Sequence, residues 1–451
     1  MNFRFAVIVV FATICFVACQ KDIAFQSNLQ KGLTIQATTH TSTESASRTS
    51  FDGDKTRWVT DDEMTIMVGE SGASAFTEFT FTCQDGQACT FVNGEIELDP
   101  ENEYDFYAVY PTSAVVNSAN QSAKITIGAA AQAQEGSSPN HIAQLDPLTG
   151  CAQNSLPNSV SIPMKHNAAA MVINVKNGLA ESVTVKSLKI TAGNDIVLCG
   201  TYEIDIESRT LSNATDTNNE VVVNVANADA IPQDGFKVYA AIAPCVLPEN
   251  ATLTFVVTDT NNTEYEFTTK FAGGFAIAAG DLLSTSFDLA SAEAITYNPD
   301  FSVVPDGFPA TTAQNIDQPF LFNGKNIRFY NAAGYKYDSE GQLIRFENVG
   351  KTDAASAKIY IPQMDHYKLV SLDIYNTVAS QNAHLFSLHN NEGIVLMVGT
   401  GDRAESKYVT NENEVTLQTS SNVTYIRVFS ASSIARVYKC NGLSLRYVKV
   451  Q

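Results

Sequence analysis

Side chains that alternate between apolar and polar, residue by residue, constrain this chain more than any other feature. Tyr265, Phe267, Thr269 and Phe271 alternate with Glu264, Glu266, Thr268 and Lys270, and a period of two puts one dry and one wet face on an extended segment. Leu253, Phe255 and Val257 repeat the pattern just upstream. Asp259-Thr260-Asn261-Asn262 supplies turn residues between them, so 252–271 is expected to be a hairpin. Strands are also expected at 171–175, 183–190, 220–225 and 237–242, and no stretch has the 3.6-residue repeat of a convincing amphipathic helix. The expected class is all-β, built from sandwiches.

The last third has the same pattern in different sequence. Short strands are expected at 359–361, 368–375, 384–388, 394–398, 415–417, 425–429 and 443–450, a spacing that fits a jelly-roll-like sandwich. The charge changes there too. The first 300 residues hold 14 Lys and Arg against 35 Asp and Glu, and the remainder 14 against 13, within chain totals of 28 and 48. Asn298-Pro299-Asp300 and Pro305-Asp306-Gly307-Phe308-Pro309 stand at the change and punctuate it as a linker. At 451 residues, 44% of them hydrophobic, the chain has the length and apolar content for about three domains. A formal net charge of −20 disfavours nucleic acid as a partner, because binding phosphate needs Lys and Arg. The expected organisation is 1–19 signal peptide, 20–48 polar leader, 49–157 first β-domain, 158–292 second β-sandwich, 293–310 linker and 311–451 C-terminal sandwich.

At the N-terminus an apolar or small run over 5–18 stops at Cys19-Gln20-Lys21-Asp22. It is too short for a permanent membrane helix and fits a secretion signal. Phe16-Val17-Ala18-Cys19 resembles a bacterial lipobox, which implies lipidation of Cys19. The Gln-Lys-Asp after it resembles the signal that sends lipoproteins of Bacteroides-like bacteria to the outer face of the outer membrane. Cys83 and Cys89 flank a loop with Asp85-Gly86 at its tip and are the candidate disulfide in an exported chain.

The sequence offers little for catalysis. It has no GxSxG, HExxH or GxxxxGK[ST], and no cysteine or histidine spacing for zinc. Val398-Gly399-Thr400-Gly401-Asp402-Arg403-Ala404 spells a nucleotide fingerprint without the helix it requires. His384 and His389 have odd spacing, which puts them on opposite faces of one strand. Trp58 is expected in a core, and the alternating Tyr104, Phe106, Ala108 and Tyr110 on a sandwich face. No enzyme, metal or cofactor is expected.

Several landmarks stand in order over the first 290 residues: SRTSF at 47–51, WVTDDEMTIMV at 58–68, YDFYAVYP at 104–111, SIPMKHNAAAM at 161–171, YAAIAP at 239–244 and GDLLSTSFDL at 280–289. Together they resemble the fimbrillins, which build the type V pili of Gram-negative anaerobes, and their accessory subunits. The resemblance implies tandem β-sandwiches, assembly with other fimbrial subunits by strand complementation, and removal of the leader by an Arg-specific protease. Arg48 is the first candidate cleavage site and Arg57 the second. The last third lies outside this pattern and resembles the appended modules of surface lipoproteins, some of which bind glycans. The reading is a surface-exposed accessory or tip subunit whose last module contacts a host or bacterial glycan or protein. The alternative is a monomeric glycan-binding lipoprotein of a nutrient-uptake system.

Overall fold

The structure is a computed structural model. It describes residues 30–39, 49–51, 56–85, 89–119, 121–193, 195–339, 343–350, 352–376, 384–389, 395–398, 408–409, 414–418, 423–430 and 436–450. It is nearly all β, with a single-turn helix at Ile142–Leu145. Among the described residues no helix is long and apolar enough to cross a membrane.

The first unit closes on itself. Strands Gln30–Thr39, Ser161–His166, Leu148–Ser155, Tyr104–Tyr110, Glu63–Glu70, Thr77–Asp85 and Thr90–Leu98 follow one another around a barrel, and the last pairs back to the first. Closure leaves no sheet edge to pair with a stranger. Leu33, Ile35, Met64, Ile66, Phe81, Phe91 and Phe106 fill the interior. Every position of Tyr104–Tyr110 is buried. Tyr104, Phe106, Ala108 and Tyr110 point into the barrel, while Tyr107 and Val109 lie under a second sheet with Ile125, Ile127 and Ile204. That sheet orders Leu211–Asn218, Cys199–Asp205, Ser122–Ile127 and Val115–Asn117. Burial on both faces explains why this strand is apolar at almost every residue.

The second unit packs Phe236–Ile242, Ala169–Lys176 and Leu282–Asp288 against the first part of a long sheet. The expected hairpin is there: Ala251–Asp259 pairs with Thr263–Phe271, Thr252 opposite Lys270 and Thr258 opposite Glu264. Its turn is held by the Asp259 carboxylate, which accepts from Asn261 N and Thr263 N at 2.8 Å each.

One edge of the three-stranded sheet is capped by side chains. Gln132 donates through Nε2 to Ala241 O at 2.7 Å and accepts at Oε1 from Ala241 N at 3.0 Å. Gln134 does the same with Lys237 O and Tyr239 N, both at 2.8 Å. Both glutamines are buried, and their amides stand in for the next strand's backbone. Gln132→Leu or Gln134→Leu strands a buried N–H and C=O, so each is expected to cost about 2 to 4 kcal/mol. Urea unfolding gives the cost, and hydrogen exchange should quicken at Ala241 or Tyr239. Unchanged exchange at those amides would count against the capping role.

The expected unit boundaries need correction. The division at 157/158 falls inside the barrel, because Ser161–His166 pairs with Leu148–Ser155 and with the first strand. The two units also interlock: Ser122–Ile127 pairs with Cys199–Asp205, and Ala131–Glu135 runs parallel to Glu220–Ala226. The segment 293–310 contains a strand, Ala294–Tyr297, flanked by Thr263–Phe271 on one side and Arg436–Lys449 on the other. Tyr297, Phe301 and Phe308 from this expected linker are buried in the core of the last third. Their apolar area outweighs the local tendency of Pro and Gly to interrupt structure.

In the last third, Pro319–Phe322, Lys325–Tyr330, Ala357–Tyr360, Tyr425–Ser430, His384–His389 and Val395–Val398 form one sheet. It packs on the far end of the long sheet, made of Tyr335–Asp338, Leu343–Val349, Arg436–Lys449 and Tyr367–Asn376. Strand Arg436–Lys449 pairs with Leu343–Val349 and then with Ala294–Tyr297 along one edge, and with Tyr367–Asn376 along the other. Its Leu443, Leu445 and Tyr447 are all buried.

Candidate functional site

Two places combine backbone or side-chain chemistry with access. The first is the seat of strand Gln30–Thr39. Its residues 36–39 run parallel to 161–164, and the strand lies antiparallel to Thr90–Leu98. Gln36 N donates to Val160 O at 3.1 Å and Ala37 N to Cys89 O at 3.0 Å. A bulge between Lys31 and Leu33 places Gly32 at φ +80, a conformation that side chains other than glycine's resist. Leu33, Ile35 and Ala37 point into the barrel, with Thr34 and Gln36 exposed between them. Trp58, a core residue as expected, donates its indole N–H to Ala37 O at 2.8 Å and meets Phe91 and Tyr110 edge to face. The strand is held here by backbone pairing plus alternate apolar side chains.

Cys19 and Arg48 lie outside the described residues, as does the whole glycine-containing stretch 399–404. Arg57 lies in a short strand, Thr56–Trp58, paired with Thr49–Phe51 so that Arg57 faces Ser50. Cys83 and Cys89, the candidate pair, are both buried, and Cys83 pairs across the ladder with Phe91. Burial, with Asp62 adding to it, pushes the Cys83 thiol up to about 11. His384 and His389 occupy one continuous strand, and His389 stacks on Tyr425 and contacts Ser387 Oγ at 2.7 Å. Among the described residues no group of three His, Cys, Asp or Glu side chains is placed to hold a metal.

The second place is the seam between the second unit and the last third, which sequence reasoning missed. Arg446 makes a two-pronged bond to Glu266 at 2.9 and 3.0 Å. Lys325 Nζ meets Glu181 at 2.7 Å, Asn323 Nδ2 donates to Asn261 O at 2.7 Å, and Tyr367 OH donates to Ala292 O at 2.7 Å. Met364 and Tyr367 pack against both cores. The seam holds a cavity of 310 Å³, open to solvent on one side and lined by residues of both sides. No spacing rule joins positions about 180 residues apart, so nothing local in the sequence points to it.

Near the cavity, burial raises the Asp259 carboxyl above its ordinary range, although bonds from Thr263 N and Asn261 N oppose the shift. Burial, followed by the nearby Asp259, pushes the Tyr265 phenol well up. A folded-state pKa above the unfolded one means that the folded protein holds the proton more tightly. The stabilisation from Asp259 is therefore full below the ordinary carboxylate range and is lost as pH rises through the raised value. Asp259→Asn is expected to flatten that part of the stability profile in urea unfolding across pH. An unchanged slope would contradict the assignment.

A fimbrillin-like family model matches residues 30–306. No curated protein matches the chain. Among solved structures, a proposed cell adhesion protein from Bacteroides uniformis is 14% identical, covering 58% of this chain and 95% of its own, with a TM-score of 0.39. One from Bacteroides ovatus is also 14% identical, with 60% and 96% covered and a TM-score of 0.40. A tip fimbrial protein from Porphyromonas gingivalis, truncated at its C-terminus, is 11% identical, with 61% and 96% covered and a TM-score of 0.33. The match to the family model spans more than half of the chain, from the first barrel strand to the start of the last sandwich: this chain belongs to the fimbrillin-like family.

Proposed function

We propose that this chain is a non-enzymatic, surface-exposed accessory or tip subunit of a fimbrium, anchored to the outer membrane through lipid on Cys19. It assembles by strand complementation, and its last sandwich contacts a host or bacterial surface. The observation that carries the reading is the position of strand Gln30–Thr39, which completes the barrel yet precedes both candidate cleavage sites, Arg48 and Arg57. Cutting after Arg48 detaches that strand from the body and leaves a slot, with unpaired backbone and apolar walls, that a neighbouring subunit's strand fills. Strand Arg436–Lys449 is held along both edges, so it is not a donor, and the subunit ends a fibre. Immunogold labelling with antibody to residues 301–451 is expected at fibre ends or isolated surface points. Regular labelling along shafts would overturn the terminal placement.

One observation favours the second reading, a monomeric glycan-binding lipoprotein: with strand Gln30–Thr39 seated, the barrel is closed and, among the described residues, its ladder has no vacant slot. The two readings separate on whether protein trimmed by an Arg-specific protease forms SDS-resistant ladders.

A further inference from the structure

The cavity at the seam has two kinds of wall. Tyr265 and Tyr367 line it, but their hydroxyls are engaged elsewhere, with Asp259 and with Ala292 O. They therefore offer it ring carbon, and Ile295 and Met364 extend that apolar surface. The other wall is polar, with Glu181, Lys325, Gln363 and Asp365. Glu181, Gln363 and Asp365 are exposed at the mouth. Gln363 Nε2 donates to Val423 O at 2.9 Å, which fixes the amide and leaves its oxygen as an acceptor. An apolar floor with a rim of carboxylate, amide and ammonium groups suits a molecule that has one C–H face and a fringe of hydroxyls. A pyranose ring has that form.

Size and charge narrow the class. A volume of 310 Å³ is at the small end for ligand pockets, which run from roughly 300 to 1,000 Å³, and admits one sugar unit better than a chain. Lys325 and Glu181 neutralise each other and Asp365 remains, so the rim repels a carboxylate-bearing sugar. We propose that the cavity binds a single neutral hexose unit, such as the terminal residue of a glycan. Glu181 and Tyr265 come from one side of the seam, and Lys325, Gln363, Asp365 and Tyr367 from the other. The fimbrillin-like region thus contributes half of the site. The proposal deepens the adhesive reading above and rests on it for the source of the sugar.

The test is saturation-transfer NMR on the full chain with the methyl glycosides of glucose, galactose, mannose, fucose and N-acetylglucosamine, and with sialic acid as the charged comparison. Transfer is expected to at least one neutral sugar and none to sialic acid. The double variant Gln363→Ala/Asp365→Ala, altered at two exposed positions, is expected to weaken binding about tenfold or more through lost hydrogen bonds. Absence of transfer to every neutral sugar, or transfer unchanged in the double variant, overturns the proposal. Cell adhesion separates it from the broader reading. If a Fab against residues 301–451 blocks adhesion while the double variant adheres normally, the cavity assignment fails and the adhesive reading stands. If sugar binding behaves as expected and the Fab has no effect, the reverse holds.

Discussion

Deleting residues 1–39 is expected to unfold the barrel, and adding a peptide of residues 30–39 in trans to restore it. The deletion removes Leu33 and Ile35, both buried, and core truncations at such residues cost roughly 2 to 5 kcal/mol each. It also strips both neighbouring strands, Thr90–Leu98 and Ser161–His166, of their ladder partner. The sum reaches about 5 to 10 kcal/mol, which equals the whole stability of an ordinary domain. Thermal unfolding followed by near-ultraviolet circular dichroism checks it through Trp58, which is held against Ala37 O. A deletion variant that melts within a few degrees of the full chain, or a peptide with Asp at positions 33 and 35 that rescues equally well, would disprove the structural role of this strand.

The second large effect is expected from Leu445→Asp. Leu445 is fully buried, opposite Tyr297 on one side and Leu372 on the other. An unpaired charge there costs about 4 kcal/mol or more. The sandwich of the last third should lose its packing, and Ala294–Tyr297 should lose the order of its outer edge. Limited trypsin digestion is expected to leave a resistant fragment ending at Lys325 or Arg328, the first Lys and Arg after Lys270, whereas Val450→Asp, at a 54% exposed position, should digest like the unmodified protein. Identical digestion of the two variants would show that strand Arg436–Lys449 is not the tie it resembles.

Local patterning made much of the fold legible. The hairpin at 252–271 was readable because one face is buried and the other wet, so its sequence carries the period directly. Tyr104–Tyr110 was readable as a strand but not as one covered on both faces, since its second cover comes from residues beyond 120 and near 200. Barrel closure was hidden for a similar reason. Leu33 and Ile35 stand alone in a polar leader, and the two strands that pair with theirs lie about 60 and 125 residues onward. Pro299, Pro305 and Gly307 suggested a linker at 293–310, but Tyr297, Phe301 and Phe308 in the same stretch were the contrary signal, since solvated linkers have little use for large aromatic rings. Gln132 and Gln134 carried no signal, because an amide that completes a backbone ladder is spelled like any surface glutamine.

The candidate site was legible in part. The resemblance to fimbrillins drew attention to the leader, in which the structure buries Leu33 and Ile35. The seam cavity was invisible because its walls come from turns and strand ends whose proximity depends on how two sandwiches meet.

The strand Ala294–Tyr297 also determines how the protein responds to pulling. The chain passes from the second sandwich into this strand with only the short turn Leu289–Ser291 and two further residues between, so no slack tether can extend before load reaches the last sandwich. Tension between the two bodies falls instead on a ladder in which Tyr297 and Ile295 are gripped from both sides, with the Arg446–Glu266 clamp alongside. Separating the bodies means breaking those bonds together with the aromatic packing around Tyr297, so the rupture is a single cooperative event. In a force-extension trace the last sandwich and its neighbour should give way without an initial soft stretch, as one stiff element.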